Sequence, residues 1–185
     1  MDQPASDQTL WVFAYGSLLW NPGFAVAGQT RATLTGYRRA FCMDSVHYRG
    51  TVEAPGLVLA LDAAPAHRCE GVIYRVRNED RAQTLDYLRA RELVTSAYQE
   101  RWLSVVDERG KAYTALSYVI DPDHGQYRGH MALEAQAQVI ARAKGHAGCN
   151  RSYLLNTLAR LEELGIHDPE LAELGRLVGQ IEGGA

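Results

Sequence analysis

The chain has 185 residues, 46% of them hydrophobic and 22% charged, with a formal net charge of −3. That length and balance fit one filled core rather than two, and they exclude a disordered or fibrous polymer. The slight negative charge gives no basic field to capture nucleic acid or an anionic membrane.

Residues 1–8 are polar and acidic and carry neither the basic nor the apolar part of a secretory leader. They read as a flexible tail, as do residues 183–185, so the whole chain is expected to be a single domain. No apolar run approaches the length of a bilayer span, which points to a cytoplasmic protein without membrane partners. Cys42, Cys69 and Cys149 are odd in number, far apart and in no C-x-x-C pair, so they argue against a disulfide framework. Burial as small hydrophobes is the expectation for all three. His67 with Cys69 has no matching second pair to make a metal site, and His146 with Cys149 has no orienting group to make a nucleophile.

In chain order, residues 10–15 predict a buried strand that stops at Tyr15-Gly16-Ser17-Leu18, with Trp20 and Asn21-Pro22-Gly23 behind it. Backbone N–H groups in such a glycine turn make an anion-sized concavity, and Ser17 adds a hydroxyl. A plain strand end is the simpler reading of this stretch alone. Thr30–Met43 alternates as a strand does, with Gly36 as a bulge or bend. A polar loop over 44–54 follows, then two strands at Leu57–Leu61 and Cys69–Val76. Their nearly continuous apolar positions suggest a sheet buried on both faces or curled into a barrel.

Asn78 is the candidate N-cap of a helix running to about Leu93, with Ala82, Leu85 and Leu88 as its apolar stripe. The stripe continues onto Glu92, four positions past Leu88. A carboxyl there, on a buried face and near a helix C-terminus, has its pKa pushed up. Either Arg89 or Arg91 folds back to neutralise it, or the helix frays before it, or it is a functional acid. Tyr98–Asp107 and Lys111–Ile120 read as a hairpin, and a second polar loop covers 121–130. Three helices close the chain, over 132–144, 150–165 and from Asp168-Pro169 onward, with Leu154, Leu155, Leu158, Leu161, Leu171, Leu174, Leu177, Val178 and Ile181 expected to face the core.

Taken together these segments resemble the ChaC branch of the γ-glutamylcyclotransferases. The similarity rests on Phe13-Ala14-Tyr15-Gly16-Ser17-Leu18 with Trp20, on Gly36-Tyr37-Arg38-Arg39 with Phe41, and on Ser45, His47-Tyr48-Arg49-Gly50 and Pro55-Gly56. It continues through Cys69-Glu70-Gly71-Val72-Ile73-Tyr74, Arg91-Glu92 with Tyr98 six residues on, and Gly148-Cys149-Asn150 with Tyr153-Leu154. The chain departs from the resemblance at Leu93-Val94-Thr95-Ser96-Ala97, where many relatives carry glycines, and in the side chains around Asn150.

The resemblance implies an α+β fold, a small mixed β-barrel flanked by helices with a helical C-terminal third. It also implies an enzyme that degrades glutathione to 5-oxoproline and cysteinylglycine with no metal or organic cofactor. In that chemistry the substrate's α-amino group attacks its own γ-carbonyl carbon, so holding the folded conformer is the first task. One acid/base carboxyl moves the proton, and Glu92 is the acidic residue on an apolar stripe. The N–H groups of Gly16, Ser17 and Leu18 are the candidate oxyanion donors, next to Tyr15. Arg39 and Arg49 are candidates for the substrate carboxylates, with Tyr98 and Tyr127 as hydroxyl donors. A monomer or weak homodimer acting on a small molecule is expected. The alternatives are the same ring closure on other γ-glutamyl amino acids or amines, a non-catalytic carboxylate-binding module, and a cysteine hydrolase.

Overall fold

The computed structural model describes residues 8–183, which divide into two compact units. The first holds residues up to Arg39 together with Leu61–His124; the second holds Ala40–Ala60 with residues from Gly125 on.

The first unit is built on a barrel. Strand β1 (Trp11–Ala14) has Val12, Phe13 and Ala14 fully buried, as its apolar run requires. It pairs antiparallel with β3 (Gly56–Arg75) in the register Trp11↔Arg75 to Ala14↔Val72. Gly71 is needed there, because a Cβ would sit 2.3 Å from the Ala14 carbonyl oxygen. Strand β2 (Gly28–Ser45) pairs with β4 (Tyr98–Asp107) at Ala32↔Asp107, and β4 with β5 (Ala112–Ile120). The order β1-β3-β2-β4-β5 closes through a parallel β1–β5 pairing at Val12↔Leu116, so among the described residues the barrel is mixed and five-stranded. Closure removes the free edges of so short a sheet.

The sheet differs from expectation in one place. The two strands expected at 57–61 and 69–76 are a single strand, β3, that runs on through Asp62–Glu70. Pro65 lies in the segment from Ala63 to Arg68, which is largely exposed, so its missing N–H leaves no buried carbonyl unpaired. Arg38 secures the stretch by donating from Nε and Nη2 to Asp62 Oδ2 at 3.1 and 2.8 Å. The interruption expected at Gly36 is a positive φ of 87° inside a strand that continues.

Helix α1 (Arg81–Glu92) follows a 3-10 turn at Asn78–Asp80, so Asn78 opens that turn and is not an N-cap. The buried face of α1 is Arg81, Thr84, Leu85 and Leu88, and Ala82 is exposed. The stripe therefore begins one turn later than expected, and Arg81 closes the N-terminal end by donating to the Gln8 carbonyl at 2.9 Å.

In the second unit α2 (Leu133–Arg142), α3 (Asn150–Glu163) and α4 (Pro169–Gly183) pack on one another, with a two-stranded hairpin of β6 (Lys144–Gly145) and β7 (Gly148–Cys149) between α2 and α3. Tyr153, Leu154, Thr157 and Leu161 form the buried face of α3; Leu155, expected in the core, is 41% exposed. Gly165, with φ 64°, ends α3, and Ile166 N–H returns to the Leu161 carbonyl at 2.9 Å. Asp168 caps α4 through Oδ1, which accepts from Leu171 N–H at 3.1 Å, with Pro169 as the first helical residue. Asn150 accepts from and donates to the main chain of Leu57, a residue of the same unit, both at 2.6 Å, which fixes the start of α3. The tails expected at 1–8 and 183–185 lie outside the described residues except for Gln8, held by Arg81, and Gly183, which ends α4.

Candidate active site

The barrel opens one end of β1 onto the glycine turn. Tyr15 is buried and donates its hydroxyl to the Tyr118 carbonyl at 2.9 Å. Its own carbonyl accepts from Arg39 Nε at 2.8 Å, while Arg39 Nη2 donates to the Glu70 carbonyl and lies 3.7 Å from Cys69 Sγ. Arg39 is 7% exposed and braces the main chain of β1 and β3 where they diverge. Beyond Gly16 the chain enters one 3-10 turn, Ser17–Leu19, closed by Leu19 N–H to the Gly16 carbonyl at 2.9 Å. The amides of Ser17 and Leu18 open this turn, so they have no partner inside it.

Glu92 is the last residue of α1, and its side chain is 15% exposed. Arg91 Nε approaches Glu92 Oε1 at 3.1 Å, and Arg91 Nη2 donates to the Ser17 hydroxyl at 2.9 Å. The Glu92 carboxyl is thus in an ion pair, and that pair is attached to the glycine turn. Burial raises its pKa and the Arg91 charge pulls against that rise. Arg89 is engaged elsewhere: Nε and Nη2 form a two-pronged bond to Glu100 of β4, both at 2.9 Å. Tyr118, opposite Glu100 in the hairpin, donates to Glu100 Oε2 at 3.4 Å. Its phenol is pushed far up by burial first, then by the Glu100 and Glu92 carboxylates, with Arg89 opposing. A carboxyl made more basic by burial is a better proton acceptor and can return the proton it takes.

Tyr98 begins β4 opposite Ile120, six residues past Glu92. The link between them turns at Ser96, whose φ of 59° is the one positive value outside glycine among the described residues. This resolves the shape of the segment where the resemblance is weakest: a serine occupies a left-handed position that suits glycine.

Arg49 and Tyr127 belong to the second unit. Arg49 Nη1 donates to the Cys149 carbonyl at 3.2 Å, and its guanidinium lies 5.7 Å from the Tyr153 ring centre. Burial lowers its pKa, with Tyr153 and Cys149 opposing. Tyr127 pairs with Met43 in an isolated antiparallel bridge, flanked by the Arg128–Asp44 ion pair. Cys42 and Cys69 are buried as expected, whereas Cys149 is exposed with Sγ 2.8 Å from Ser152 Oγ. His146 Nδ1 lies 2.6 Å from the His47 carbonyl oxygen. Among the described residues no group of three or more His, Cys, Asp or Glu side chains could hold a metal ion.

Sequence reasoning missed the reach of Arg91 to Ser17, and the Glu100–Tyr118 pair. One signal was available: Tyr87 precedes Arg91 by four, a spacing that puts both on one helix face, and Arg91 Nη1 lies 3.0 Å from the Tyr87 hydroxyl.

No helix among the described residues is long and apolar enough to cross a membrane. A γ-glutamyl cyclotransferase specific to glutathione from yeast has a crystal structure that superimposes with a TM-score of 0.85 over 94% of this chain and 97% of that one, at 23% identity. Two relatives share more sequence. The glutathione-specific γ-glutamylcyclotransferase of Escherichia coli K12 is 36% identical over 165 residues, covering 89% of this chain and 71% of the relative. The γ-glutamylcyclotransferase 2-3 of Arabidopsis thaliana is 34% identical over 180 residues, covering 93% and 89%. A model of the ChaC-like protein family matches residues 10–181, and with this barrel, this glycine turn and these relatives the chain belongs to that family.

Proposed function

We propose that the chain is a glutathione-specific γ-glutamylcyclotransferase. The relative from Escherichia coli that carries this name supports the substrate, and the match over residues 10–181 supports reading the chain as a single domain of this kind. The observation that carries the mechanism is Glu92: a sparsely exposed carboxyl, raised in pKa, attached through Arg91 to the turn at Ser17.

In this reading the γ-glutamyl group lies with its γ-carbonyl oxygen toward the amides of Gly16, Ser17 and Leu18. Glu92 takes a proton from the α-ammonium, the freed amine attacks the γ-carbonyl carbon, and the oxygen becomes an anion facing the amides. The amide bond to cysteine then breaks as Glu92 returns its proton to the leaving nitrogen, and the second proton of the former ammonium passes from the ring nitrogen to the departing amine, which leaves as an ammonium while the lactam keeps one N–H. The products are 5-oxoproline and cysteinylglycine, and no redox or metal step is needed. Loss of one such oxyanion donor typically costs about 3 kcal/mol of barrier. Arg39 acts here through Tyr15, holding the main chain from which the turn departs. Tyr98 is proposed as a hydroxyl donor to the substrate. Three free cysteines suit a reducing, cytoplasmic setting.

The test is release of 5-oxoproline from glutathione and, separately, from a γ-glutamyl amino acid. Glutathione is expected to react and Glu92→Gln to lose at least about a hundredfold in kcat while still binding it. Preference for the γ-glutamyl amino acid would transfer the activity to that substrate class. Turnover by Glu92→Gln within about tenfold of wild type would remove Glu92 from the chemistry.

A further inference from the structure

We infer that Arg91 is a positioning residue that joins the Ser17 turn and the Glu92 carboxylate into one hydrogen-bonded unit, an inference that rests on the activity proposed above. Each guanidinium nitrogen has its own target. Nε faces Glu92 Oε1 at 3.1 Å and Nη2 donates to Ser17 Oγ at 2.9 Å. Nη1 donates to the Asn21 carbonyl at 2.8 Å and the Tyr87 hydroxyl at 3.0 Å, with the Pro22 carbonyl at 3.4 Å. Because the fork is planar, satisfying these oxygens together fixes where the carboxylate stands relative to the turn. A charge that only neutralised Glu92 would need none of the contacts to residues 17–22.

The far side of this arrangement is packed. Gly23 has a φ of 74°, and a Cβ there would fall 1.8 Å from the Tyr87 hydroxyl oxygen. The loop at 21–23 therefore closes against Tyr87, and the Tyr87 hydroxyl meets Arg91 from the other side. Both side chains of the Arg91–Glu92 pair are sparsely exposed, 17% and 15%, so solvent screens the contact little. Their place at the C-terminus of α1 favours the cation and disfavours the anion, which makes Glu92 dependent on Arg91 for its charge.

A consequence for substrate follows from the direction of one bond. Ser17 Oγ accepts from Arg91, so its own O–H remains to donate. Arg91 thereby aims the Ser17 hydroxyl at the γ-glutamyl group, on the same turn as the oxyanion amides, while Nε of the same guanidinium holds the acid.

The charged and titratable groups that act on Glu92 are Arg91 of α1, its direct cationic partner, and Tyr118 of β5; Arg89 of the same helix is bound to Glu100 of β4. Arg91→Gln removes the cation that favours the ionised form, so Glu92 titrates at higher pH. The experiment has two readouts. In ligand-free protein, carboxyl titration of Glu92 by 13C NMR is expected to move to higher pH in Arg91→Gln. In turnover, the acid limb of kcat/KM moves the same way and kcat falls by about a hundredfold.

An unmoved Glu92 titration in Arg91→Gln overturns the coupling whatever the activity. Wild-type protein that releases no 5-oxoproline sinks the proposed activity and leaves the ligand-free titration to decide the coupling. If Arg91→Gln does not fold, Arg91→Lys carries the test. Its ammonium keeps the charge beside Glu92 and cannot reach all of these oxygens together. The acid limb then stays near that of wild type while kcat drops with KM little changed, and an Arg91→Lys enzyme with wild-type kcat overturns the positioning role.

Discussion

Arg39 Nε donates to the Tyr15 carbonyl at 2.8 Å from a side chain that is 7% exposed. With Nη2 on the Glu70 carbonyl, the guanidinium bridges the exit of β1 to the β3 strand beside it. A buried cation held by main-chain oxygens leaves those oxygens unpaired when it is removed.

Arg39→Met is therefore expected to lose about 3 kcal/mol of stability in urea unfolding. Stability within about 1 kcal/mol of wild type together with a raised KM for glutathione would return Arg39 to the substrate-carboxylate role that its sequence position suggests.

The raised pKa of Glu92 fixes a sign for pH dependence. A group whose folded-state pKa lies above its unfolded value contributes stability fully below the unfolded value and loses it as pH rises through the folded one. Glu92→Gln carries no charge at any pH, and Arg91 keeps its oxygens at Ser17, Asn21, Pro22 and Tyr87. The variant is expected to match wild type in Tm at about pH 4 and to become the more stable protein as pH rises toward about 8. A Tm difference that does not change across this range would contradict the burial of an ionising group.

Ser96 holds a φ of 59° without being glycine. Ser96→Gly relieves left-handed strain of roughly 1 kcal/mol and gives back part of it through a more flexible unfolded chain. The variant should be about 0.5 kcal/mol more stable by thermal or urea unfolding, with 5-oxoproline release little changed. A clear loss of stability would mean that the serine side chain contributes more than the backbone strain it imposes.

Cys149 is exposed, and its thiol pKa is lowered, chiefly by the hydrogen bond with Ser152. Iodoacetamide at neutral pH should label Cys149 first, with Cys42 and Cys69 protected until unfolding, and Ser152→Ala should slow the labelling. Mass spectrometry locates the adduct. Turnover of glutathione is expected to survive it, whereas abolished turnover would favour the cysteine-hydrolase alternative.

The sequence by itself determined what depends on neighbours along the chain. The apolar run of β1, the hairpin across Asp107–Gly110, the proline-capped start of α4 and the placement of Glu92 four residues past Leu88 all follow from turn chemistry and from repeats of 2 and 3.6 residues. The resemblance carried in Tyr15-Gly16-Ser17-Leu18 and Arg91-Glu92 was legible for the same reason. Tertiary structure alone decided that β3 runs through Pro65, that Leu155 faces solvent, and that Arg39 donates to the Tyr15 and Glu70 carbonyls. It also decided that Arg91 reaches Ser17 across 74 positions while Arg89, two residues earlier, turns to Glu100. A long cationic side chain has many rotamers of similar energy, and the acceptors that select among them come from strands and turns that meet only when the barrel closes.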